Sequence, residues 1–147
     1  MNQIFFKQLE NGKGLYQIKK ATDGSAGFDL LSASDQNIHI KPNESVLIPC
    51  GFSLQMPNGI EAQVRPRSGI ALKNCVTVLN SPGTIDSDYR GEISVILINH
   101  GKKLFSISRG MRIAQLVFQK LPNIELLEKK KLTETQRGGG GFGSTGV

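Results

Sequence analysis

The last eleven residues of the sequence, 137–147, combine one permanent positive charge with glycine and hydroxyl side chains. Arg137 begins the segment, six glycines follow it, and Ser144 supplies a hydroxyl group. Glycine lets backbone N–H groups turn toward an anion, and a guanidinium group is well suited to phosphate. The segment is not a Walker P-loop, because the lysine and the following helix are missing. It predicts a flexible tail, a Gly/Arg segment that binds RNA, or a lid in which Phe142 stacks on the base of a phosphorylated ligand.

A second candidate for phosphate binding follows a segment of alternating polar and apolar residues that ends at Arg65. Ser68 and Gly69 then begin a short stretch with helical character, 68–73, in which Ser68 would be the N-cap. The free N–H groups and the positive dipole end of a helix N-terminus attract phosphate, and Arg67 would add charge there. The alternative is an ordinary capped helix beside two surface arginines.

Residues 80–91 lie between two apolar segments and are typical of a β-hairpin. The backbone of a hairpin can hydrogen-bond the edge of a nucleobase, and Asn80 offers both a donor and an acceptor. Asp86 and Asp88 have the chemistry to bind a metal or to act as a general base. The alternative is a turn that contains aspartate because turns favour it.

Two polar residues occupy positions inside apolar segments with strand character. A buried aspartate such as Asp29 usually has a charged partner or a function. Gln115 stands in the middle of the segment 112–118, where the alternative is an outward-facing position. His39 and His100 form no convincing nucleophile and base set with the serines, so a hydrolase with a catalytic triad is not expected.

The elements that must position these residues are mostly β-strands. Short and fairly regular turn signals separate strand patterns at 45–49, 52–56, 61–65, 76–79, 92–99, 104–107 and 112–118. This rhythm is typical of an all-β fold, a jelly-roll-like barrel or sandwich. Residues 68–73 predict one short helix, and 124–136 fit either a helix or a strand. We divide the chain into a β domain, 1–136, and a mobile glycine-rich arm, 137–147.

Composition narrows the class of protein further. At 147 residues, with 38% of them hydrophobic, the chain fits one domain with a real core. No apolar run has the length of a membrane span and the first residues lack a secretory signal, so we expect no membrane association and a cytoplasmic location. The net charge of +6 favours polyanionic partners, although 6% aromatic residues and no tryptophan disfavour a base-stacking surface. Cys50 and Cys75 are expected to be small buried residues in a reducing compartment.

Taken together, the five segments resemble, in the same order, the five motifs of the trimeric deoxyuridine triphosphatases (dUTP pyrophosphatases). They span residues 26–146, nearly the whole chain. The third and fifth motifs are the more specific ones. The matching segments are 26–30, 66–71, Asn80 with 83–91, Gly110 with 112–115, and 137–146. The sequence departs mildly from the family motifs at two positions. Thr84 stands where an aliphatic residue is common in the family, and Phe28 stands where tyrosine or leucine is common.

The resemblance implies a jelly-roll-like homotrimer with three active sites at subunit interfaces. One subunit would supply the hairpin that binds uridine, a second the turn that binds phosphate, and a third the arm that closes over the ligand. The implied reaction is hydrolysis of dUTP to dUMP and pyrophosphate with Mg²⁺. This reaction keeps uracil out of DNA and supplies dUMP for thymidylate synthesis. No stable nucleic-acid binding is implied.

The resemblance also implies roles for individual residues. Asp86 would be the general base that activates water for attack on the α-phosphorus, and Gln115 would hydrogen-bond the α-phosphate or that water. Asp29 would hold Mg²⁺ through an intervening water, with no direct protein ligand to the ion. The residues that would bind the substrate are Arg67, Ser68 and Gly69 for the phosphates, Asn80, Thr84, Ile85, Tyr89 and Ser94 for uracil and sugar, and Arg137, Phe142, Gly143 and Ser144 in the arm.

Three other functions fit parts of the pattern. A dCTP deaminase would share the implied fold but needs a general-base glutamate, whereas the segment here carries Asp86 and Tyr89. A non-catalytic nucleic-acid-binding β domain would fit the basic charge and the Gly/Arg arm. A regulatory protein would keep the fold and act by binding partners.

Overall fold

The computed structural model describes residues 3–16 and 20–141. Within these ranges the chain forms antiparallel β-strands, one α-helix and one 3-10 turn at Glu10–Gly12. The helix, α1, is Ser68–Asn74. The strands are β1 (Phe5–Gln8), β2 (Phe28–Leu31), β3 (Ile38–Ile40), β4 (Ser45–Pro49), β5 (Phe52–Gln55), β6 (Ile60–Arg65), β7 (Val76–Val78), β8 (Gly83–Ile85), β9 (Ser94–Asn99), β10 (Phe105–Ile107) and β11 (Arg112–Lys120). The expectation of an all-β fold with one short helix is confirmed.

The strands form two larger sheets and two separate pairs. One sheet has the order β2-β11-β6-β8, the other has the order β4-β9-β7, and β1 pairs with β5 and β3 with β10. Successive side chains along each strand point to opposite faces of the sheet, and one of the two faces is buried. In β9, for example, Val95, Leu97 and Asn99 are buried while Ile96 and Ile98 are only half-buried. The buried faces of the sheets meet in one hydrophobic core.

The segment predicted as a hairpin, 80–91, connects two strands that do pair, β7 and β9. Within it, however, Gly83–Ile85 form β8, which pairs with β6 of the other sheet so that Ile85 lies opposite Ala62. The connection therefore crosses from one sheet to the other. As a result the segment is fixed to the sheet that contains β11 and does not project freely.

The helix α1 is confirmed, but the prediction that Ser68 is its N-cap was wrong. Arg67 is the N-cap, Ser68 is the first helical residue, and no side chain caps the helix. The helix buries Ile70 and ends where Cys75 adopts a left-handed conformation with φ 55°. The β-branched residues that follow favour the strand β7 instead of a longer helix.

Residues 124–136, for which a helix or a strand was expected, form neither, and regular structure ends with β11 at Lys120. We call residues 121–141 the C-terminal extension, because the chain continues there past the last strand. Its apolar side chains from residue 124 onward are between 69% and 94% exposed; they are Ile124, Leu126, Leu127 and Leu132. Apolar side chains this exposed need another surface to pack against. The domain boundary after residue 136 stays a prediction.

The structure also corrects one expectation about the cysteines and adds three strands. Cys50 is buried as expected, but Cys75 is exposed, because it ends α1 at the surface. The strands β1, β3 and β8 were not predicted from the sequence. Each is only three or four residues long.

In the described ranges, no helix has both the length and the apolar character that crossing a bilayer requires.

The buried thiol of Cys50 makes folding stability depend on alkaline pH. Burial, and then the Glu92 carboxylate, raise the pKa of Cys50 from 9.0 to about 12. The folded chain keeps this proton where the unfolded chain loses it, so the free energy of unfolding falls as pH rises from 9 toward 12. We predict that Cys50→Ala removes this component, about 1.4 kcal/mol per pH unit, from urea unfolding measured across the alkaline range.

The matched control is Cys75→Ala, which removes the exposed thiol and leaves Cys50 in place. This variant should keep the pH dependence of the wild-type chain. A Cys50→Ala variant whose stability falls with pH as steeply as that of the wild type would contradict the prediction.

Candidate active site

The first candidate cleft lies where β2, the start of α1 and β11 meet. We call it the basic cleft, and its volume is about 590 Å³. It contains Asp29, the turn 67–69 and Gln115, which the sequence assigned to three different motifs. The residues that line it are Ala21, Ser25, Ala26, Gly27, Phe28, Asp29, Arg67, Ser68, Gly69, Ile70, Lys73, Asn74, Arg112 and Gln115.

Strand register explains why these motifs meet. Strand β11 lies between β2 and β6, and Gln115 is opposite Asp29 on one side and Arg65 on the other. The Gln115 side chain donates from Nε2 to the Pro66 carbonyl oxygen at 3.0 Å, which fixes its orientation beside the start of α1. Among the residues that the structure describes, its second N–H and its carbonyl oxygen have no hydrogen-bond partner, so a ligand can bind them.

The Asp29 carboxylate pairs with two arginines at the rim of the basic cleft. Its Oδ1 lies 3.3 Å from Arg67 Nε, and its Oδ2 lies 3.4 Å from Arg112 NH1. Arg67 also donates to the backbone carbonyl of Arg112 at 3.2 Å. Two guanidinium groups held by one carboxylate leave a net positive charge, which suits a phosphate ligand.

Arg112 was not among the predicted binding residues, and a bulge explains why. On a regular strand, Arg112 and Gln115 are three positions apart and face opposite sides of the sheet. The register of β11 against β2 shifts between Arg112 and Ala114, and both Ile113 and Ala114 are buried. The bulge brings both polar side chains to one cleft. The sequence did contain a signal for this bulge: the two consecutive apolar residues Ile113 and Ala114 stand between the polar residues Arg112 and Gln115.

The second candidate cleft is formed by the connection between β7 and β9. We call it the hairpin cleft, and its volume is about 300 Å³. Asp86 and Tyr89 belong to one turn, in which the Tyr89 N–H donates to the Asp86 carbonyl at 3.2 Å. A side chain at Gly83 would crowd this cleft, because its Cβ would lie 3.2 Å from Asn80 Nδ2 and from the Val64 side chain. The residues that line this cleft are Leu47, Asn80, Thr84, Ile85, Asp86, Tyr89, Glu92, Ile93, Ser94 and Ile96.

The two clefts share no lining residue, so one chain does not bring all the predicted site residues together. The basic cleft holds Asp29, Arg67, Ser68, Gly69 and Gln115, and the hairpin cleft holds Asn80, Thr84, Ile85, Asp86, Tyr89 and Ser94. Arg137 lines neither cleft, and its Nε donates to the Gly140 carbonyl at 2.9 Å. Phe142, Gly143 and Ser144 lie outside the described residues.

Within residues 3–16 and 20–141, no three histidine, cysteine, aspartate or glutamate side chains lie close enough to hold one ion.

Gly27 allows the loop before β2 to pass close to Gln115. A Cβ at this position would lie 2.8 Å from the Leu116 carbonyl oxygen and 3.2 Å from Gln115 Oε1. We predict that Gly27→Ala destabilises the chain by about 1–3 kcal/mol, because the contact is with backbone that cannot move freely. Thermal unfolding measures this loss.

The same loop offers a matched control. A Cβ at Gly24 would meet nothing within 4 Å, so Gly24→Ala should leave the midpoint of thermal unfolding close to that of the wild type. Equal midpoints for Gly27→Ala and Gly24→Ala would show that the loop does not press on β11.

Solved structures with the same fold come from phage proteins. The dUTPase of Staphylococcus bacteriophage 80alpha, solved as a mutant with dUpNHpp, superposes with a TM-score of 0.87 at 23% identity, covering 100% of both chains. A mutant dUTPase from phage phi11 of S. aureus superposes with a TM-score of 0.78 at 20% identity, covering 90% of this chain and 100% of that one. The phi11 structure reveals how that protein coordinates a structural Mg(II) ion.

Sequence relatives match along the whole chain. A deoxyuridine 5'-triphosphate nucleotidohydrolase of Rickettsia felis is 55% identical over 147 residues, covering 100% of this chain and 99% of the relative. A protein of the same name from Rickettsia bellii is 56% identical, covering 100% and 97%. The model of the dUTPase family matches residues 15–146. The chain therefore belongs to the dUTPase family.

Proposed function

We propose that this enzyme hydrolyses dUTP to dUMP and pyrophosphate with Mg²⁺, by attack of water on the α-phosphorus. The observation that carries the proposal is the pair of separate clefts, one basic and one formed by the hairpin, in a chain of the dUTPase family. In the cell this reaction would keep uracil out of DNA and supply dUMP for thymidylate synthesis. We propose the cytoplasm as its location.

The hairpin cleft has the chemistry to select uracil and deoxyribose. Asn80 can donate to and accept from the edge of the base, beside the backbone of Thr84 and Ile85. A close-fitting wall rejects the extra methyl group of thymine, and backbone groups of fixed polarity reject the amino group of cytosine. Tyr89 would lie against the sugar and exclude a 2′-hydroxyl, and Ser94 would complete the base pocket.

The basic cleft has the chemistry to bind the triphosphate. Arg67 supplies charge, and Ser68 and Gly69 present backbone N–H groups at the start of α1. Arg112, held by the same carboxylate as Arg67, adds a second guanidinium group. Gln115 would donate to an oxygen of the α-phosphate or accept a hydrogen bond from the attacking water.

Asp86 is the group we assign as general base. Its side chain is exposed at the hairpin cleft, where a water molecule can reach it. An ionised carboxylate accepts a proton from water as the oxygen attacks the α-phosphorus, and the pyrophosphate leaves in line on the opposite side. When a second chain covers the cleft, exclusion of other water strengthens these interactions.

The donor set fits Mg²⁺ held by the substrate phosphates and water. Asp29 is the acidic residue of the basic cleft, and each of its oxygens already lies within ion-pair distance of one arginine. A carboxylate has about four acceptor positions, so Asp29 can also accept from water around the ion. The ion would neutralise charge on the leaving pyrophosphate.

We infer a homotrimer in which the hairpin cleft of one chain and the basic cleft of a second chain form each active site. The outer face of the β4-β9-β7 sheet is apolar: Leu47 is 61% exposed and lies opposite Ile96. Both residues also line the hairpin cleft. A second copy packed on this face would bring its basic cleft toward the hairpin cleft, and cyclic contacts of this kind are typical of homo-oligomers.

The arm of a third chain would then close the site. The exposed leucines of the C-terminal extension would pack on a neighbouring subunit, which would carry Arg137 and Phe142 to the substrate. Arg137 would pair with the γ-phosphate and Phe142 would stack on uracil, with Gly143 and Ser144 adding donors around the phosphates.

A substrate panel tests the proposed activity. The chain should release pyrophosphate from dUTP in the presence of Mg²⁺ and should turn over dTTP, dCTP and UTP far more slowly, because each differs at the base or the sugar. Release of ammonia from dCTP would instead indicate deamination. Binding of DNA that weakens steeply with salt, without turnover of dUTP, would indicate a nucleic-acid-binding protein.

Mixing two inactive variants tests whether each site is shared between chains. Asp86→Asn should bind dUTP and lose most turnover, and Arg67→Ala should lose phosphate binding. If the hairpin cleft and the basic cleft of one site belong to different chains, unfolding and refolding the two variants together should restore roughly a quarter of the sites. These are the sites that combine the intact basic cleft of Asp86→Asn with the intact hairpin cleft of Arg67→Ala. Steady-state turnover of dUTP before and after mixing measures the recovery.

The matched control mixes Arg67→Ala with Gln115→Ala. These two residues line the same cleft of one chain, so no mixed assembly contains an intact basic cleft. This mixture should stay inactive. Recovery in both mixtures, or in neither, would contradict the assignment of the two clefts to different chains.

A further inference from the structure

Glu92 lines the hairpin cleft but has no role in the mechanism proposed above. It lies three residues after Tyr89 and two before Ser94, at the end of the connection. Its Oε1 accepts from Asn11 Nδ2 at 2.7 Å and from the Gly51 N–H at 2.8 Å. These partners are 81 and 41 residues away in sequence, so one carboxylate oxygen joins three distant parts of the chain.

The two partners of Glu92 belong to a tightly packed crossing of backbones. A Cβ at Gly12 would overlap the Gly51 carbonyl group, and Gly51 has φ +77°, a conformation that favours glycine. The Leu9 N–H also donates to the Gly51 carbonyl at 2.9 Å. The crossing is therefore a rigid support to which the Glu92 side chain is attached.

The backbone of Glu92 in turn holds the ring of Tyr89. The Tyr89 hydroxyl donates to the Glu92 carbonyl oxygen at 3.1 Å. The ring lies directly on Gly91, because a Cβ there would overlap its hydroxyl and ring carbons. The ring is 48% exposed, so few other contacts fix it, and its position follows the position of residues 91–92.

The Glu92 carboxylate is held by neutral donors. In the described part of the chain, no lysine or arginine lies within ion-pair distance of it. An amide oxygen at the same position can accept the same two hydrogen bonds. Glu92→Gln therefore separates the geometry of the side chain from its charge.

We propose that Glu92 is a positioning residue for sugar selection, which sets Tyr89 against the deoxyribose by tying residues 91–92 to Asn11 and Gly51. This proposal rests on the proposed function, in which Tyr89 excludes the 2′-hydroxyl. The proposed mechanism gives Glu92 no contact with the reacting phosphorus or the attacking water, so its loss should act on binding of the sugar and not on the chemical step.

The kinetic test compares dUTP with UTP. Glu92→Ala should lower the ratio of kcat/KM for dUTP to that for UTP by about tenfold, because two hydrogen bonds to the carboxylate are lost. Most of the change should be a lower KM for UTP, since a displaced Tyr89 ring no longer excludes the 2′-hydroxyl. Glu92→Gln should keep the wild-type ratio. An unchanged ratio in a folded Glu92→Ala enzyme would overturn the proposal, as would a loss of kcat that is equal in Glu92→Gln and Glu92→Ala.

Asn11→Ala provides a second variant in case Glu92→Ala does not fold. It removes one donor from the carboxylate without touching the hairpin cleft, and should change the ratio in the same direction by a smaller factor. The matched control is Glu10→Ala, in the same 3-10 turn, whose carboxylate pairs with Lys13 at the surface. A change in the ratio for Glu10→Ala as large as that for Asn11→Ala would contradict the proposal.

A readout without substrate separates this proposal from the proposed function. The chain has two tyrosines and no tryptophan, so incorporated 3-fluorotyrosine gives two fluorine NMR signals. The signal that disappears in Tyr89→Phe is that of Tyr89, and it should shift or broaden in Glu92→Ala and not in Glu10→Ala. Absence of dUTP hydrolysis in the wild type would refute the proposed function, whereas an unchanged Tyr89 signal in Glu92→Ala would refute the positioning role.

Discussion

The Asp29 carboxylate holds two guanidinium groups side by side, and the basic cleft depends on this arrangement. Arg67 and Arg112 carry like charges that repel each other unless an anion lies between them. The three side chains are between 28% and 57% exposed, so solvent screens the ion pairs and they contribute little to folding stability. In the proposed function their contribution is to binding, because donors that are already in place need no reorganisation when a polyanion binds.

Strand order is what brings these three side chains together. Asp29, Arg67 and Arg112 are far apart in sequence, but β11 lies beside both β2 and β6, and α1 starts soon after β6 ends. The bulge in β11 then turns Arg112 to the side of Gln115. A regular strand in the same place would leave the cleft with one guanidinium group, and Asp29 would be neutralised by it.

Local pattern predicted most of the strands and the helix α1, and it failed where tertiary contacts decide. The roles of the candidate site residues and their division between subunits came from the resemblance to a family, and they stay predictions. Polar residues inside apolar strands drew attention to Asp29 and Gln115. The expectation that Asp29 is buried was wrong, because its carboxylate lies at the rim of the basic cleft and is 32% exposed, and Gln115 is also only half-buried. Arg112 could not be found by alternation, since the bulge depends on pairing with β2. The sequence of residues 124–136 fits a helix or a strand equally. In the structure their apolar side chains are exposed and pack on no surface within residues 3–16 and 20–141, so no tertiary contact favours either conformation. Cys75 is apolar in character and was assigned to the core, although the end of α1 lies at the surface.

The hairpin cleft and the basic cleft are both fixed within one chain, whereas the C-terminal extension lines neither of them. Pairing of β8 with β6 and the hydrogen bonds of Glu92 to Asn11 and Gly51 fix the first, and the β2-β11-β6 sheet fixes the second. In the proposed trimer, the entropy lost in bringing the two clefts together is lost once, at assembly, and not at each turnover. Only the glycine-rich arm would become ordered each time a substrate molecule binds. Glycine residues would bind the substrate through backbone groups, so few side-chain contacts must break when the arm opens again. In the proposed trimer, division of the site between chains would thus separate a permanent, preorganised geometry from a lid that opens to release pyrophosphate.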